Sequence, residues 1–413
     1  MQILYDIAVF LVGGLLKIMA LFSPKLKLFV SGRKEVFPKL KGIIADSDTV
    51  FWLHCASLGE FEQARPIIEK LRNQYNNCKI VLTFFSPSGY EVQKNYKLAD
   101  VVVYLPLDST SNAKKFLELA QPSVAVFVKY EFWPNLLSEL KNTNIPTILV
   151  SGIFRQDQIF FKSHGGWMRS KLKAFSHFFL QDENSSGLLN SIGFENTTVC
   201  GDTRFDRVYD ILDRENKLDF IEEFVGDSYV FVAGSTWPED EDLLVNYILE
   251  NSKKNEKIII APHNIKSEAI ANLKAAFGDT AVLFSEKQGK HLKSFKVFII
   301  DTIGVLTKIY SVADVAYVGG GYTKSGIHNV LEPATFGIPV VIGPNFKKFK
   351  EAVDLVAIGG CISTSNQLSV NKILVEFRDN EDVRKEKGQI ALSYIKDSLG
   401  ASDTILRYVK SLE

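Results

Sequence analysis

Along most of the chain, short apolar runs alternate with longer stretches whose apolar positions recur every three or four residues, the spacing of a helix with one buried face. The clearest pair comes first. Residues 51–55 read as a buried strand and 56–59 as a break. Residues 60–72 then read as a helix, with Phe61, Ala64, Ile67, Ile68 and Leu71 on one side. Runs at 80–84, 101–105, 123–128 and 147–150 continue as strands, with helical patterns at 89–96, 111–119 and 133–140 between them. A charged, helix-like stretch, DRVYDILDRENKLDFIEEFVGD, follows and a second series begins: strands at 229–233, 258–261, 297–300, 316–318 and 339–342, then a closing helix near 389–412. Strands alternating with helices predict parallel sheets covered on both faces, and 413 residues are enough for two such units. The expected class is α/β: two doubly wound domains facing a cleft, over 24–205 and 229–388, joined by a link at 206–228 and closed by a helix at 389–413.

The first 23 residues break this pattern. Residues 3–22 are nearly all apolar, interrupted by Asp6 and Lys17 and followed by Lys25, Lys27, Arg33 and Lys34. A helix of ~20 such residues can just cross a bilayer, the two charges also allow it to lie in the interface, and the alternative is a soluble helix packed on the first domain. A signal peptide does not fit, because only Met1 and Gln2 precede a long apolar run and the cations lie on its C-terminal side. By the positive-inside rule that arrangement places the body of the protein in the cytoplasm. Lys and Arg together equal Asp and Glu at 48 each, so no global field calls for a nucleic-acid partner and any anion site must be built locally. The four cysteines, Cys55, Cys78, Cys200 and Cys361, show no metal-ligand spacing and fit buried thiols in a reducing compartment.

Three places carry candidate chemistry. Glu60 directly follows the Ser57-Leu58-Gly59 turn at a strand end, where it is either an active-site carboxylate or an acid that stabilises the start of a helix. Gly319-Gly320-Gly321 follows a strand and precedes Ser325 to Asn329, so its backbone N–H groups can cradle an anion, although a tight turn explains three glycines equally well. Asn329 and Glu332, three apart, can share a helical face beside a nucleotide, with Glu332 accepting from a ribose diol or acting as a capping acid. Asp240-Glu241-Asp242 looks like a metal-binding triplet, but after Ser235-Thr236-Trp237-Pro238 it reads as the first turn of a helix. No metal site is expected.

The segments WLHCASLGE, TFFSPSGYE, YLPLD, EFWPNLL, GDTRFD, AGSTWPEDE, DTIG and GIHNVLEPA, in that order between residues 52 and 334, together resemble the lipid A Kdo transferases, where Kdo is 3-deoxy-D-manno-octulosonic acid. HCASLGEFEQ, FFSPSGYE and GDTRFDRVY are most similar to members from Bacteroidetes-like bacteria. The resemblance implies the GT-B glycosyltransferase fold, two Rossmann-like domains with an N-terminal membrane anchor. It also implies an enzyme of lipopolysaccharide biosynthesis on the cytoplasmic face of the inner membrane. Its donor would be CMP-Kdo, a substrate rather than a cofactor. Its acceptor would be a tetraacylated lipid A precursor, lipid IVA. The N-terminal domain would bind the acceptor and the second domain the CMP-sugar.

Carried over residue by residue, the resemblance places Glu60 on the family's general base and Arg204 on a basic position that stabilises the transition state, Arg where Lys is common. The alternative for Arg204 is an ion pair with Asp202 or Asp206. Lys129 stands where the family often has a glutamate. Either it takes an electrostatic role of opposite sign, or Glu131 supplies the acid, or Lys129 is a structural ion-pair partner. For the nucleotide, Pro262 and His263 fall on a Pro-Arg pair, Ile303, Gly304 and Val305 on Met-Gly-Glu, and Asn329, Val330, Leu331 and Glu332 on Asn-Pro-Leu-Glu. His263 and Val305 therefore change the side chains offered there, whereas Asn329 and Glu332 are retained. Transfer would be direct and inverting, with Lys25, Lys27, Arg33 and Lys34 holding anionic head groups and acceptor phosphates. Two other readings remain: another GT-B enzyme with a UDP-sugar, such as an epimerase or transferase, and an inactive membrane-bound carbohydrate-binding protein.

Overall fold

The computed structural model describes residues 1–45 and 47–412, and these form two compact units. The first comprises Met1–Arg207 and Ser398–Glu413, the second Val208–Asp397. The first unit is built on seven parallel strands: β1 (Val50–Cys55), β2 (Lys79–Phe84), β3 (Val101–Tyr104), β4 (Val124–Val128), β5 (Thr147–Gly152), β6 (His177–Leu180) and β7 (Thr197–Val199). Their order across the sheet is β3-β2-β1-β4-β5-β6-β7. Helices cover both faces, which is why β1, β4 and β5 are buried at every position and read as continuous apolar runs.

The second unit repeats the plan with β8 (Tyr229–Thr236), β9 (Glu256–Pro262), β10 (Ala281–Leu283), β11 (Val297–Ile299), β12 (Val315–Val318), β13 (Val340–Ile342) and β14 (Cys361–Ser363), in the order β10-β11-β9-β8-β12-β13-β14. In each sheet the chain begins at a central strand, winds outward to one side, then returns to the strand's other side. β1 and β4 are therefore neighbours at one reversal of strand order and β8 and β12 at the other. In open α/β sheets the carboxyl ends of the strands at such a reversal splay apart and leave room for ligands.

Three local readings change. The helix after β1 runs Leu58–Gln74, with Ser57 at its cap, so Glu60 sits in the first turn rather than at the first position. The charged stretch after residue 205 forms two helices, Arg204–Tyr209 and Asp219–Val225, and the latter buries Ile221 and Phe224 in the core of the second unit. The single closing helix expected over 389–412 is two, Glu381–Asp397 and Ala401–Lys410. Gly400 breaks it with φ 102°, a backbone conformation that glycine alone adopts cheaply. Asp206 accepts hydrogen bonds from the N–H groups of Gly400 and Ser402, both at 2.7 Å, and the last helix buries Ile405, Leu406 and Val409 in the first unit's core.

The N-terminal run is a helix, α1 (Gln2–Met19), long and apolar enough to cross a membrane, with none of its residues buried. It also touches the first unit through one polar face. Tyr5 donates to Asp108 at 2.8 Å, Asn135 donates to Asp6 at 2.8 Å, and Lys171 donates to Gln2 at 3.2 Å. Ile3, Leu4, Ile7, Phe10 and Leu11 are exposed on its remaining surface. The next helix, α2 (Pro24–Lys34), is capped by Ser23 and presses so closely on Tyr104 that a Cβ at Gly32 would come within 2.1 Å of the ring.

Candidate active site

In the first unit, the ends of β1 and β4 bring two carboxylates to the strand-order reversal. The Glu60 carboxylate turns back over the end of β1 and accepts a hydrogen bond from the Ala56 N–H. After β4 the chain makes a sharp turn at Lys129, whose φ of 59° is unusual for a residue with a side chain. Strained backbone of this kind persists where the surroundings fix it, and active sites are a common place. Glu131 then points into a buried polar chain. His54 Nε2 lies 2.9 Å from its Oε2, and Trp133 Nε1 donates to the same oxygen at 2.7 Å. His54 Nδ1 in turn lies 2.9 Å from Thr83 Oγ1, which accepts from Trp52 Nε1 at 2.9 Å. Trp52 can only donate, so the Thr83 hydroxyl directs its own proton to His54 Nδ1 or to the Leu53 carbonyl oxygen 3.4 Å away. When Thr83 donates to Nδ1, the other ring nitrogen carries the proton and donates to Glu131.

Glu131, held by this wiring, acts electrostatically on Glu60. Burial pushes the Glu60 carboxyl above its ordinary range and the Glu131 charge adds to the effect, while the Ala56 N–H, His54 and Lys129 oppose it. Two nearby carboxylates in unlike environments are the arrangement that separates an acid–base group from a fixed charge. Arg204, in the Arg204–Tyr209 helix, is held by Asp202: its Nε and backbone N–H donate to the two carboxylate oxygens, each at 2.9 Å. Asp202 also accepts from Gln63 at 3.0 Å. The pairing with Asp202 is present, and Asp206 is instead engaged by the C-terminal helix.

In the second unit, two of the glycine loop's N–H groups are already engaged within the protein. Gly319 N–H donates to Gly234 O at 2.9 Å, and Gly320 N–H to Asp240 at 2.7 Å. A Cβ would meet the Ser235 carbonyl oxygen at 2.4 Å from Gly319, the Gly326 carbonyl oxygen at 2.5 Å from Gly320, and the Gly343 backbone at 2.6 Å from Gly321. These glycines are there for close packing of backbone on backbone. Asp240 does more than start the helix Pro238–Glu250: fully buried, it accepts from Trp237 N–H at 2.9 Å, Gly320 N–H at 2.7 Å and Tyr317 OH at 2.7 Å, tying the ends of β8 and β12 together.

Beside this tie lies an aromatic cluster. His263, just past the end of β9, stacks on Trp237 with ring centres 4.8 Å apart and planes 16° apart, and lies 4.3 Å from His328. Trp237 Nε1 donates to His328 Nε2 at 3.1 Å, fixing that imidazole as an acceptor there. Burial holds His328 down to about 4, with His263 adding to the effect, so this ring is neutral at physiological pH. Asn329 and Glu332 are brought together as expected: Asn329 Nδ2 donates to Glu332 Oε1 at 3.2 Å and Asn329 Oδ1 accepts from Leu331 N–H at 3.0 Å. Thr307 Oγ1 donates to Glu332 Oε2 at 2.7 Å. Val330 and Leu331 are buried at the start of the short helix Leu331–Thr335. Pro262 ends β9, while Ile303, Gly304 and Val305 form the turn after β11, with Ile303 exposed and Gly304 at φ 94°.

A model of the 3-deoxy-D-manno-octulosonic-acid transferase (Kdo transferase) family matches residues 31–207. A 3-deoxy-D-manno-octulosonic acid transferase from Aquifex aeolicus is 29% identical over 86% of this chain and 93% of its own, and one from Haemophilus influenzae is 27% identical over 87% and 86%. Residues 31–207 thus match a Kdo transferase domain, and the chain is similar to Kdo transferases over most of its length. These similarities mark this protein as a glycosyltransferase. Its two-sheet architecture is that of the GT-B fold. A UDP-GlcNAc 2-epimerase from Neisseria meningitidis, only 14% identical, superposes with a TM-score of 0.61 over 88% of this chain and all of that one.

In the transferase the sequence-expected residues fall into separate groups. Glu60 and Lys129 share the end of the first sheet, and Arg204 is tied down by Asp202. His263 belongs with Trp237 and His328, and Asn329 and Glu332 with Thr307. Sequence reading overlooked Trp237, His328 and Thr307, and gave Asp240 only a helix-start role. An indole and an imidazole at the ends of two strands were visible in the motifs AGSTWPEDE and GIHNVLEPA, but their contact requires β8 and β12 to be neighbours.

Proposed function

We propose that this transferase moves Kdo from CMP-Kdo to a tetraacylated lipid A precursor in lipopolysaccharide biosynthesis, with Glu60 as the general base. The observation that carries the reading is a carboxylate, Glu60, raised above its ordinary range by burial and by Glu131 at the strand-order reversal of the first unit. A sugar hydroxyl has a high pKa, and a base poised nearer neutrality takes its proton as the new bond forms. The acceptor oxygen attacks the anomeric carbon from the face opposite the CMP phosphate. That C–O bond breaks, CMP leaves with the electron pair, and the anomeric centre inverts. Arg204, held in place by Asp202, supplies fixed positive charge for the departing phosphate, and Lys129 biases Glu60 toward its charged form. The second unit holds CMP through Pro262, His263, the backbone of Ile303 to Val305, and Asn329 to Glu332.

Helix α1 favours a place in the membrane interface. A helix whose Gln2, Tyr5 and Asp6 all bind the α/β unit presents its apolar remainder sideways, which suits a surface-lying helix with the body of the protein on the cytoplasmic side.

The test of the reaction is release of CMP from CMP-Kdo, regenerated in the assay, with and without a tetraacyl lipid A precursor. Release that depends on the lipid is the expected result. If UDP-sugars, and not CMP, protect the second unit from thermal unfolding, the donor is wrong and the UDP-sugar reading replaces it.

The charge pattern around Glu60 sets a pH dependence. A carboxyl raised in the folded enzyme is still protonated where an ordinary glutamate has ionised, so kcat/KM rises with pH through a limb lying above the usual carboxylate range. Glu131→Gln removes the like charge and moves that limb to lower pH. Lys129→Gln removes an opposing charge and moves it to higher pH. Limbs that coincide in all three enzymes would remove Glu60 as the titrating group.

A further inference from the structure

Helices α1 and α2 and the connection after β3 enclose a groove of about 240 Å³. Its apolar lining includes Leu16 of α1, Val30 of α2, Phe37 and Leu107. Ligand pockets for whole small molecules run to roughly 300–1,000 Å³, so this one suits a single chain rather than a complete head group. Three cations, Lys17, Arg33 and Lys34, line the same groove, and no ion pair to any of them is found among the described residues.

Arg33 differs from the lysines around it. Its Nη1 and Nη2 donate to the carbonyl oxygens of Phe29 and Phe85 at 3.0 and 2.9 Å, and its guanidinium lies 3.5 Å from the centre of the Phe29 ring, 4.8 Å from Phe85 and 5.1 Å from Tyr104. Its Nε is buried with no hydrogen-bond partner. Burial pulls its pKa down to about 9, which leaves the group charged at neutral pH. A half-buried guanidinium held by carbonyls and rings, with a buried, unpartnered Nε and no carboxylate, is a charge awaiting an anion, and its planar fork matches a phosphate. The groove also adjoins the carboxylate cluster: Phe85, which accepts from Arg33, packs against Trp133 at 4.6 Å, and Trp133 binds Glu131.

We infer that this groove takes one fatty-acyl chain of the phosphorylated lipid acceptor and that Arg33 binds the acceptor's phosphate. The inference rests on the lipid-acceptor reading above. It separates Arg33, a built site, from Lys25 and Lys27, which are exposed and serve a membrane surface in general.

The experiment uses the full-length protein in micelles of an uncharged detergent, with a lysophosphatidic acid carrying a photoreactive acyl chain as the probe and the matching monoacylglycerol as its phosphate-free control. Labelling is expected on α1, α2 and the residues after β3. Val30→Trp fills the groove and weakens both probes. Arg33→Gln weakens the lysophosphatidic acid at least ~10-fold and leaves the monoacylglycerol unchanged, as the loss of a charge-assisted hydrogen bond requires. Both variants raise KM for the lipid acceptor without raising KM for CMP-Kdo. Equal binding of lysophosphatidic acid by the wild type and Arg33→Gln, or labelling elsewhere, overturns the site. Groove binding with an unchanged acceptor KM assigns the groove to a bilayer lipid and overturns the acceptor claim. A wild type that binds the probe through Arg33 but transfers no Kdo counts against the transfer reading alone, so the two failures are distinguishable.

Discussion

Glu60→Gln lowers Kdo transfer by roughly 10²–10⁴-fold and leaves CMP binding unchanged. The substitution keeps the size of the side chain and an oxygen that can accept from the Ala56 N–H, so the turn after β1 and the first turn of the helix Leu58–Gln74 retain their support. What disappears is a proton acceptor of raised pKa. CMP is expected to bind in the second unit, built on a different sheet with its own core, and the change should not reach it. The check is a transfer assay beside calorimetric CMP titration of the same preparation. A loss of activity with CMP affinity intact assigns the base. A Glu60→Gln enzyme within about threefold of the wild type, far short of the loss a general base accounts for, would mean that Glu60 only stabilises its helix. Glu131, wired to His54 and Trp133, then becomes the carboxylate to test.

The second large effect concerns stability rather than chemistry. Asp240→Ala should destabilise the second unit by about 3 kcal/mol or more, because it strands three donors, Trp237 N–H, Gly320 N–H and Tyr317 OH, in a place that water reaches poorly. Burial already opposes the charge on this carboxylate, and the three donors are what keep it tolerable. Removing it unties β8 from β12 and releases the Gly319 to Gly321 turn, so Trp237 and His328 lose their register beneath His263. Hydrogen exchange reads this directly: amides of residues 317–328 should exchange faster, while those of β1 and β4 keep their wild-type protection. CMP affinity should fall with the same substitution. If exchange is unchanged across 317–328, the glycine turn is held by its close backbone packing alone and Asp240 is dispensable.

These two residues also mark how far reading the chain can go. The order of short apolar runs and helical patterns determined the α/β class, the identity of the central strands in outline, and the division into two sheets, because parallel strands buried on both faces must be continuous apolar segments. Four strands, β6, β7, β10 and β14, lie outside the runs singled out beforehand. They have three or four residues each; β7, β10 and β14 end their sheets, and all three positions of β7 are only half-buried, so their pattern carries little periodic signal. Glu60 was legible because a strand, a turn and a helix follow one another within a few residues, which makes its place a local matter.

What local pattern could not decide was everything that depends on which strands are neighbours. The adjacency of β1 and β4 makes Glu131 the charge that raises Glu60, and leaves Lys129 to oppose it across a left-handed turn. The adjacency of β8 and β12 turned an acid with the look of a helix start into a buried tie, and three glycines with the look of an anion cradle into a backbone contact. Gly400, at φ 102°, breaks the expected closing helix, and only the packing of Ile405, Leu406 and Val409 shows that its last part belongs to the first unit's core. The apolar N-terminal run fixed that α1 seeks a nonpolar surrounding, and contacts of Tyr5 and Asp6 with Asp108 and Asn135, far along the chain, fixed which face it offers. Hydrophobic period is a property of neighbours in sequence, and so it survives in the sequence; charge, hydrogen bonding and close backbone approach depend on neighbours in space, which the winding of the two sheets alone supplies.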